Sequence, residues 1–182
     1  MDLKRLKRTI VHRGRVFTTI VDDVEYPSGR KSIREIAQHP GGAVAIAMFP
    51  DKRTILIKQH RYPLDRFIWE LPAGKLEPNE EPLACAQREL GEETGYRANT
   101  WRRLTTVYPS PGFCDELLHL YLATDLEVIP EGRKLEEGEL TMTVEIFPFE
   151  TVLSMIEREE IPDAKTICAV FFAERLLRRG EL

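Results

Sequence analysis

Between Gly41 and Phe49 the chain reads GGAVAIAMF, a continuous apolar run closed by the turn residues PDKR. A short run of this kind predicts a buried strand. TILIKQHRY follows as a second strand, and DRFIWELPAG as a short one ending at Pro72. Upstream, RTIVHRGRVFTTIVDDVEYPSGRKSIREIAQH is rich in β-branched and aromatic residues, with the turn signal YPSGR inside it, and predicts a β-hairpin. From Pro82 to Thr94 the period changes. Leu83, Ala86 and Leu90 recur at helical spacing and predict a core-facing stripe. Pro82 suits a first helical turn, and Gly95 the position after the last. WRRLTTVYPSPG predicts a strand running into a Pro/Gly loop, ELLHLYLATDL a strand, EVIPEGRKLEEGEL a polar loop and TMTVEIFPF a strand. ETVLSMIEREE and AKTICAVFFAERLLRR predict two amphipathic helices. The whole reads as one α+β domain, a mixed β-sheet with helices on its faces.

Composition narrows the function classes. The 182 residues are 42% hydrophobic and 31% charged, ordinary for a soluble globular chain. The net charge is −4. Gly74–Tyr96 alone carries Glu77, Glu80, Glu81, Glu89, Glu92 and Glu93 against Lys75 and Arg88, so the remainder is close to neutral. That argues against a nucleic-acid surface, and it makes the acidity local. Cys85, Cys114 and Cys168 are sparse and contain no CxxC, as expected in a reducing compartment. With no apolar span for a bilayer and no secretory signal at the basic N-terminus, the expected location is cytoplasmic, without membrane or nucleic-acid partners.

The local acidity has a geometry. Glu89 and Glu93 are spaced i,i+4, Glu89 and Glu92 i,i+3, so the three project to one side of the helix, with Arg88 able to pair with Glu92. Converging carboxylates repel, and a hard divalent cation relieves the repulsion. Charge alone describes a solvated acidic face at least as well. The complete pattern decides: Gly74, Glu80, Arg88-Glu89-Leu90, Glu92-Glu93 and Gly95-Tyr96. It resembles the Nudix box, G-x5-E-x7-R-E-U-x-E-E-x-G-U with U bulky and apolar, at every defined position. Gly91, which weakens a helix interior by about 1 kcal/mol, falls at a free position.

The resemblance implies an α/β/α sandwich and Mg²⁺-dependent hydrolysis of a nucleoside diphosphate linked to another moiety, with Mn²⁺ as a substitute metal. It implies metal binding by Glu89, Glu92, Glu93 and the Ala73 carbonyl. Glu80 and Arg88 match the positions that tie loop to helix, and Gly74 would let backbone approach metal and phosphate closely. Gly95 completes the motif. WELPAGKLEPNEEP, QHRYP and YPSPGFCDE are similar to the ADP-ribose and ADP-sugar pyrophosphatase branch, as is the N-terminal hairpin, and Pro111 stands sixteen residues after Gly95. The same resemblance implies a homodimer, with residues 1–40 as a dimerisation element of one unit with a hydrolase domain at 41–182.

Site roles follow as expectations. The attacking water would be deprotonated by Glu92 or Glu93, or from the loop KLEEGEL by Glu137 or Glu139, with Glu139 preferred. Arg61 would contact phosphate or ribose, Glu70 adenine or ribose, and Glu116 a terminal ribose. Trp69 and Tyr62 are read as core aromatics before base-stacking ones. His60 and His119 receive no role, and Cys85 is read as a small packing residue. Two alternatives stay open: a hydrolase of another nucleoside diphosphate derivative such as GDP-mannose, and a nucleotide-binding module that has lost catalysis. The second predicts damage to the box, and the box is intact.

Overall fold

A computed structural model describes residues 3–182. The elements in chain order are β1 (Lys4–Arg13), β2 (Thr18–Glu25), β3 (Lys31–Gln38), β4 (Gly42–Ala47), β5 (Arg53–Arg61), β6 (Arg66–Glu70), β7 (Ala73–Lys75), α1 (Pro82–Thr94), β8 (Tyr96–Val107), β9 (Leu118–Val128), β10 (Thr143–Pro148), α2 (Phe149–Glu157) and α3 (Ala164–Arg178). Two compact units result: Met1–Gly41 with Tyr108–Leu117, and Gly42–Val107 with Leu118–Leu182.

The first unit holds the antiparallel sheet β1-β2-β3. Here the expected hairpin gains a strand. The YPSGR turn forms as read, with the Gly29 N–H donating to the Tyr26 carbonyl at 2.8 Å. A second turn closes at Gly14, whose N–H donates to the Phe17 carbonyl at 3.0 Å, and splits the first run into β1 and β2. Every residue of β1 is exposed, including Leu6, Ile10 and Val11. The loop Tyr108–Leu117 belongs to this unit because it continues the backbone pairing: the Ala37 N–H donates to the Phe113 carbonyl at 2.8 Å and the Asp115 N–H to the Ala37 carbonyl at 3.2 Å.

The second unit is an α/β/α sandwich, built by strand alternation. Its sheet runs β7-β4-β9-β8, with β4 and β9 parallel and their neighbours antiparallel. Successive side chains of a strand point to opposite faces. Val44 and Ile46 of β4 and Leu118, Leu120 and Leu122 of β9 therefore pack with Phe149, Val152 and Met155 of α2 and Ala169, Val170 and Ala173 of α3. Ala43, Ala45, Ala47, Tyr121 and Ala123 line the other face, against Cys85, Ala86 and Leu90 of α1. Small residues on that face allow α1 to lie close to the sheet. A second sheet, β10-β5-β6, completes the unit.

Helix α1 spans the predicted Pro82–Thr94, and Gly95 caps it in the left-handed region at φ 75°, its N–H donating to the Gly91 carbonyl at 3.0 Å. The buried stripe is shifted from the predicted one. Leu83 is 37% exposed, and the buried positions are Cys85, Ala86, Glu89, Leu90, Glu93 and Thr94. Two carboxylates thus occupy the i,i+4 line that begins at Cys85, facing inward. Tyr62 also departs from the core reading: it is 88% exposed at the β5–β6 turn. Trp69 keeps it, packing edge-on against Phe147 with ring centroids 5.2 Å apart.

Candidate active site

The site grows from the junction of β7 and α1. Strand β7 pairs with β4, placing Gly74 opposite Ala43, and its backbone lies against α1. The Cys85 thiol points at the carbonyls of Gly74 and Lys75, each 3.6 Å away. Burial pushes that thiol up to about 12, so Cys85 stays a neutral packing group that binds strand to helix.

Arg88 organises the carboxylates. Its Nε and Nη2 donate to the two Glu80 oxygens at 2.8 and 3.0 Å, and its Nη1 donates to Glu89 at 2.7 Å and Glu92 at 3.1 Å. The Glu77 N–H also donates to Glu80, at 2.9 Å. The Arg88 bond, helped by that N–H, lowers the Glu80 carboxyl to about 2. One guanidinium therefore ties the loop before α1 to the helix and orients two more carboxylates.

Glu93 is the most enclosed acid of the cluster, 2% exposed, and the Ala73 N–H donates to its Oε2 at 2.8 Å. Burial first, and Glu89 second, push its carboxyl well above the ordinary value. Glu89 is raised as well, by burial, with Arg88 pulling the other way. The Glu139 charge adds to both shifts. Its carboxylate also closes a capping box in its own loop, accepting from the Glu136 N–H at 3.0 Å.

Arg133 holds that loop on the helix end. Its Nε donates to the Glu93 carbonyl at 2.7 Å and its Nη2 to the Met142 carbonyl at 2.9 Å, while the Lys134 N–H reaches the Glu92 carbonyl at 2.9 Å. The sequence reading passed over Arg133. A lone arginine in a polar loop carries no periodic signal.

Arg61 and Glu70 are brought together rather than held apart as two substrate contacts. Arg61 Nε and Nη2 each donate to Glu70, both at 2.6 Å. Lys165 Nζ also bonds Glu70, and Glu70 is fully buried. Burial alone would raise the Glu70 carboxyl; the two cations outweigh it and leave it below its ordinary value. Both oxygens are engaged, which gives Glu70 a grip on Arg61. Pro111 and Glu116 belong to the first unit, where Glu116 lies 3.5 Å from His39.

Among the described residues, no three His, Cys, Asp or Glu side chains converge as a ready metal-ligand set. The physical reason is visible: Arg88 draws Glu89 and Glu92, and the Ala73 N–H holds Glu93. The donors nonetheless fit a hard divalent cation. Two neighbouring inward carboxylates are both raised by burial, and opposite charge among them would relieve that. Gly74 supplies the cradle: a Cβ built there would lie 1.7 Å from Glu89 Oε1.

The family model of the NUDIX domain matches residues 39–170. The chain belongs to the Nudix family. It is a Nudix hydrolase. An ADP-ribose pyrophosphatase of Bacillus subtilis (strain 168) is 42% identical to it over 174 residues, covering 96% of this chain and 94% of that one. A methanol dehydrogenase activator of Bacillus methanolicus is 40% identical over 171 residues, covering 94% and 92%. The crystal structure of an ADP compounds hydrolase aligns with a TM-score of 0.83 at 23% identity, covering 100% of this chain and 98% of that one, a likeness of fold.

Within the Nudix box, the glycine at 74 answers a need for space, since the atoms a side chain would meet are those of the Glu89 carboxylate. That carboxylate is the end of a flexible side chain and can move aside. Gly74→Ala is therefore expected to leave the melting temperature nearly unchanged while displacing Glu89. A displacement of about 1 Å at a reacting centre costs on the order of 10²-fold. Measuring kcat/KM beside thermal melting checks this; an unchanged kcat/KM would show that Glu89 needs no such cradle.

Proposed function

We propose that the chain hydrolyses the diphosphate bond of ADP-ribose or a related ADP-sugar, giving AMP and a sugar phosphate, with Mg²⁺ as cofactor and Mn²⁺ able to substitute. The observation that carries the reading is the inward pair Glu89 and Glu93 beside Gly74, within a complete box. The similarity to an ADP-ribose pyrophosphatase over nearly the full length of both chains supports the choice of substrate.

Glu89, Glu92, Glu93 and the Ala73 carbonyl would hold the metal. When bound, it supplies Lewis-acid stabilisation of charge developing on the diphosphate. This chain's residues do the rest. A carboxylate, with Glu139 preferred over Glu92 and Glu93, takes a proton from the attacking water. The water oxygen bonds to one phosphorus as the bridging P–O bond breaks, and the electron pair leaves with the departing phosphate. Arg61 offers Nη1, which has no hydrogen-bond partner among the described residues, to a substrate phosphate. Pro111 and Glu116 are kept as substrate-binding residues on the strength of the sequence resemblance, Glu116 for a terminal ribose. Gly74, Glu80, Arg88 and Gly95 hold the motif in shape. The exposed β1 supports a homodimer, since a fully exposed strand with apolar residues invites pairing with a second copy. The reading is of a cytoplasmic enzyme acting on a small nucleotide.

The test is a substrate panel. With Mg²⁺ present, ADP-ribose should show the highest kcat/KM among ADP-ribose, ADP-glucose, GDP-mannose and NADH, with AMP as product. Chelation should abolish turnover, and added Mg²⁺ or Mn²⁺ should restore it. If ADP-ribose yields no AMP under these conditions, the substrate assignment fails.

A further inference from the structure

The segment Pro162–Thr166, reading PDAKT, takes no part in the reaction described so far, yet it meets the strand that leads into the Nudix box. Asp163 caps α3, its Oδ2 accepting from the Thr166 N–H at 3.1 Å and from Thr166 Oγ1 at 2.6 Å. Thr166 Oγ1 in turn accepts from the Leu71 N–H at 2.9 Å. These bonds already fasten the helix to the strand.

Lys165 does something else. It is only 9% exposed and sits in the first turn of α3, where the helix dipole disfavours a cation. Its Nζ bonds Asp163 at 2.9 Å and also bonds Glu70. A buried ion pair is often no more stabilising than apolar residues of the same volume. Fastening alone therefore does not explain a lysine here.

Its charge matters through Glu70. That carboxylate is shared between Lys165 and the planar fork of Arg61, so Glu70 cannot fully neutralise Arg61. Arg61 remains 41% exposed on its side chain, with Nη1 unengaged among the described residues. Lys165 and Arg61 balance Glu70 and Asp163. Remove Lys165 and the cluster becomes net negative where an anionic substrate must bind.

We infer that Lys165 is a positioning residue for substrate binding: it holds and partly neutralises Glu70, so that Arg61 stays oriented and net positive toward a substrate phosphate. The inference rests on Arg61 being the phosphate contact of the proposed function. It adds a residue that never touches the substrate.

Lys165→Met is the test, assayed on whichever panel substrate the wild type turns over best, so a wrong guess about ADP-ribose does not obscure the result. KM should rise about tenfold, with kcat within about threefold. In an Arg61→Gln background, Lys165→Met should raise KM no further, because the path through Arg61 is already gone. Thr166→Val, which removes the hydroxyl's bonds to Leu71 and Asp163 and leaves the charges alone, should lower the melting temperature without raising KM. Should Lys165→Met fail to fold, Lys165→Gln is read in its place with the same expectations. The inference is overturned if KM is unchanged, if the full KM effect persists without Arg61, or if Thr166→Val reproduces it. If Arg61→Gln itself leaves KM unchanged on every substrate, the phosphate contact falls, and this inference with it. If Arg61→Gln raises KM and Lys165→Met does not, only the role of Lys165 falls.

Discussion

Glu93→Gln is expected to abolish most turnover while leaving the fold intact or firmer. The glutamine carbonyl can still accept the Ala73 N–H bond that Glu93 makes at 2.8 Å, so strand and helix stay joined. The charge is what disappears. Burial and the neighbouring Glu89 push the Glu93 carboxyl well above its ordinary value, so its ionised form is held against the preference of the surrounding protein. Relieving that should hold or raise the melting temperature. As ligand or as base, an acid in this place is worth roughly 10²–10⁴-fold in rate, and kcat should fall by that order. Glu139→Gln is the comparator. If Glu139 takes the proton, it should lower kcat with little change in KM; a full rate would return the base to the helix. A Glu93→Gln enzyme retaining its rate on every diphosphate substrate would remove Glu93 from the chemistry.

Arg88→Met should cost both stability and activity. Methionine keeps the apolar stem and deletes the group that serves Glu80, Glu89 and Glu92 together. Breaking a buried pair from one side costs about 3–5 kcal/mol. The Arg88 side chain is 27% exposed and that of Glu92 37%, so water absorbs part of the loss and about 2–4 kcal/mol is expected. For a chain of this size that lowers the melting temperature by roughly 5–15 °C. Acid response supplies a second readout. The folded Glu80 carboxyl, at about 2, lies below its ordinary 4.5, so its contribution is complete above pH 4.5 and fades as pH falls from there toward 2. In the variant that loss should shrink, with the Glu77 N–H bond left to hold Glu80 down. Urea midpoints at pH 6 and pH 3 should therefore differ less in Arg88→Met than in the wild type. An equal acid response in the two proteins would show that Arg88 does not set the Glu80 titration.

Much of the fold was legible because it rests on local rules. The limits of α1 follow from Pro82 and Gly95, residues whose backbone chemistry favours those two positions. The apolar run from Gly42 to Ala47 is buried throughout, as a strand covered on both faces must be. Where the reading slipped, the cause was tertiary. Leu83 carries the helical period but lies outward, because the side of α1 that meets the sheet starts at Cys85 and takes in Glu89 and Glu93. Periodicity cannot tell a buried glutamate from a solvated one. The extra strand β1 arose from a turn at Gly14 that has the glycine of YPSGR but neither its proline nor its serine.

The sequence by itself determined the chemistry on offer: a carboxylate helix opened by a glycine loop and closed by Gly95, with every defined position of the Nudix box in place. Such a motif spans few residues, and spacing along one helix is enough to specify it. Only the tertiary structure decided who holds whom. Arg61 and Glu70 are nine residues apart, on β5 and β6, where the register sets Arg61 opposite Arg66 and Glu70 opposite Ile57, so they meet through the reach of their side chains; Glu70 and Lys165 are ninety-five apart and meet at the start of α3. Charges so distant in the chain leave no periodic trace, since their meeting depends on how the sheet and helices pack.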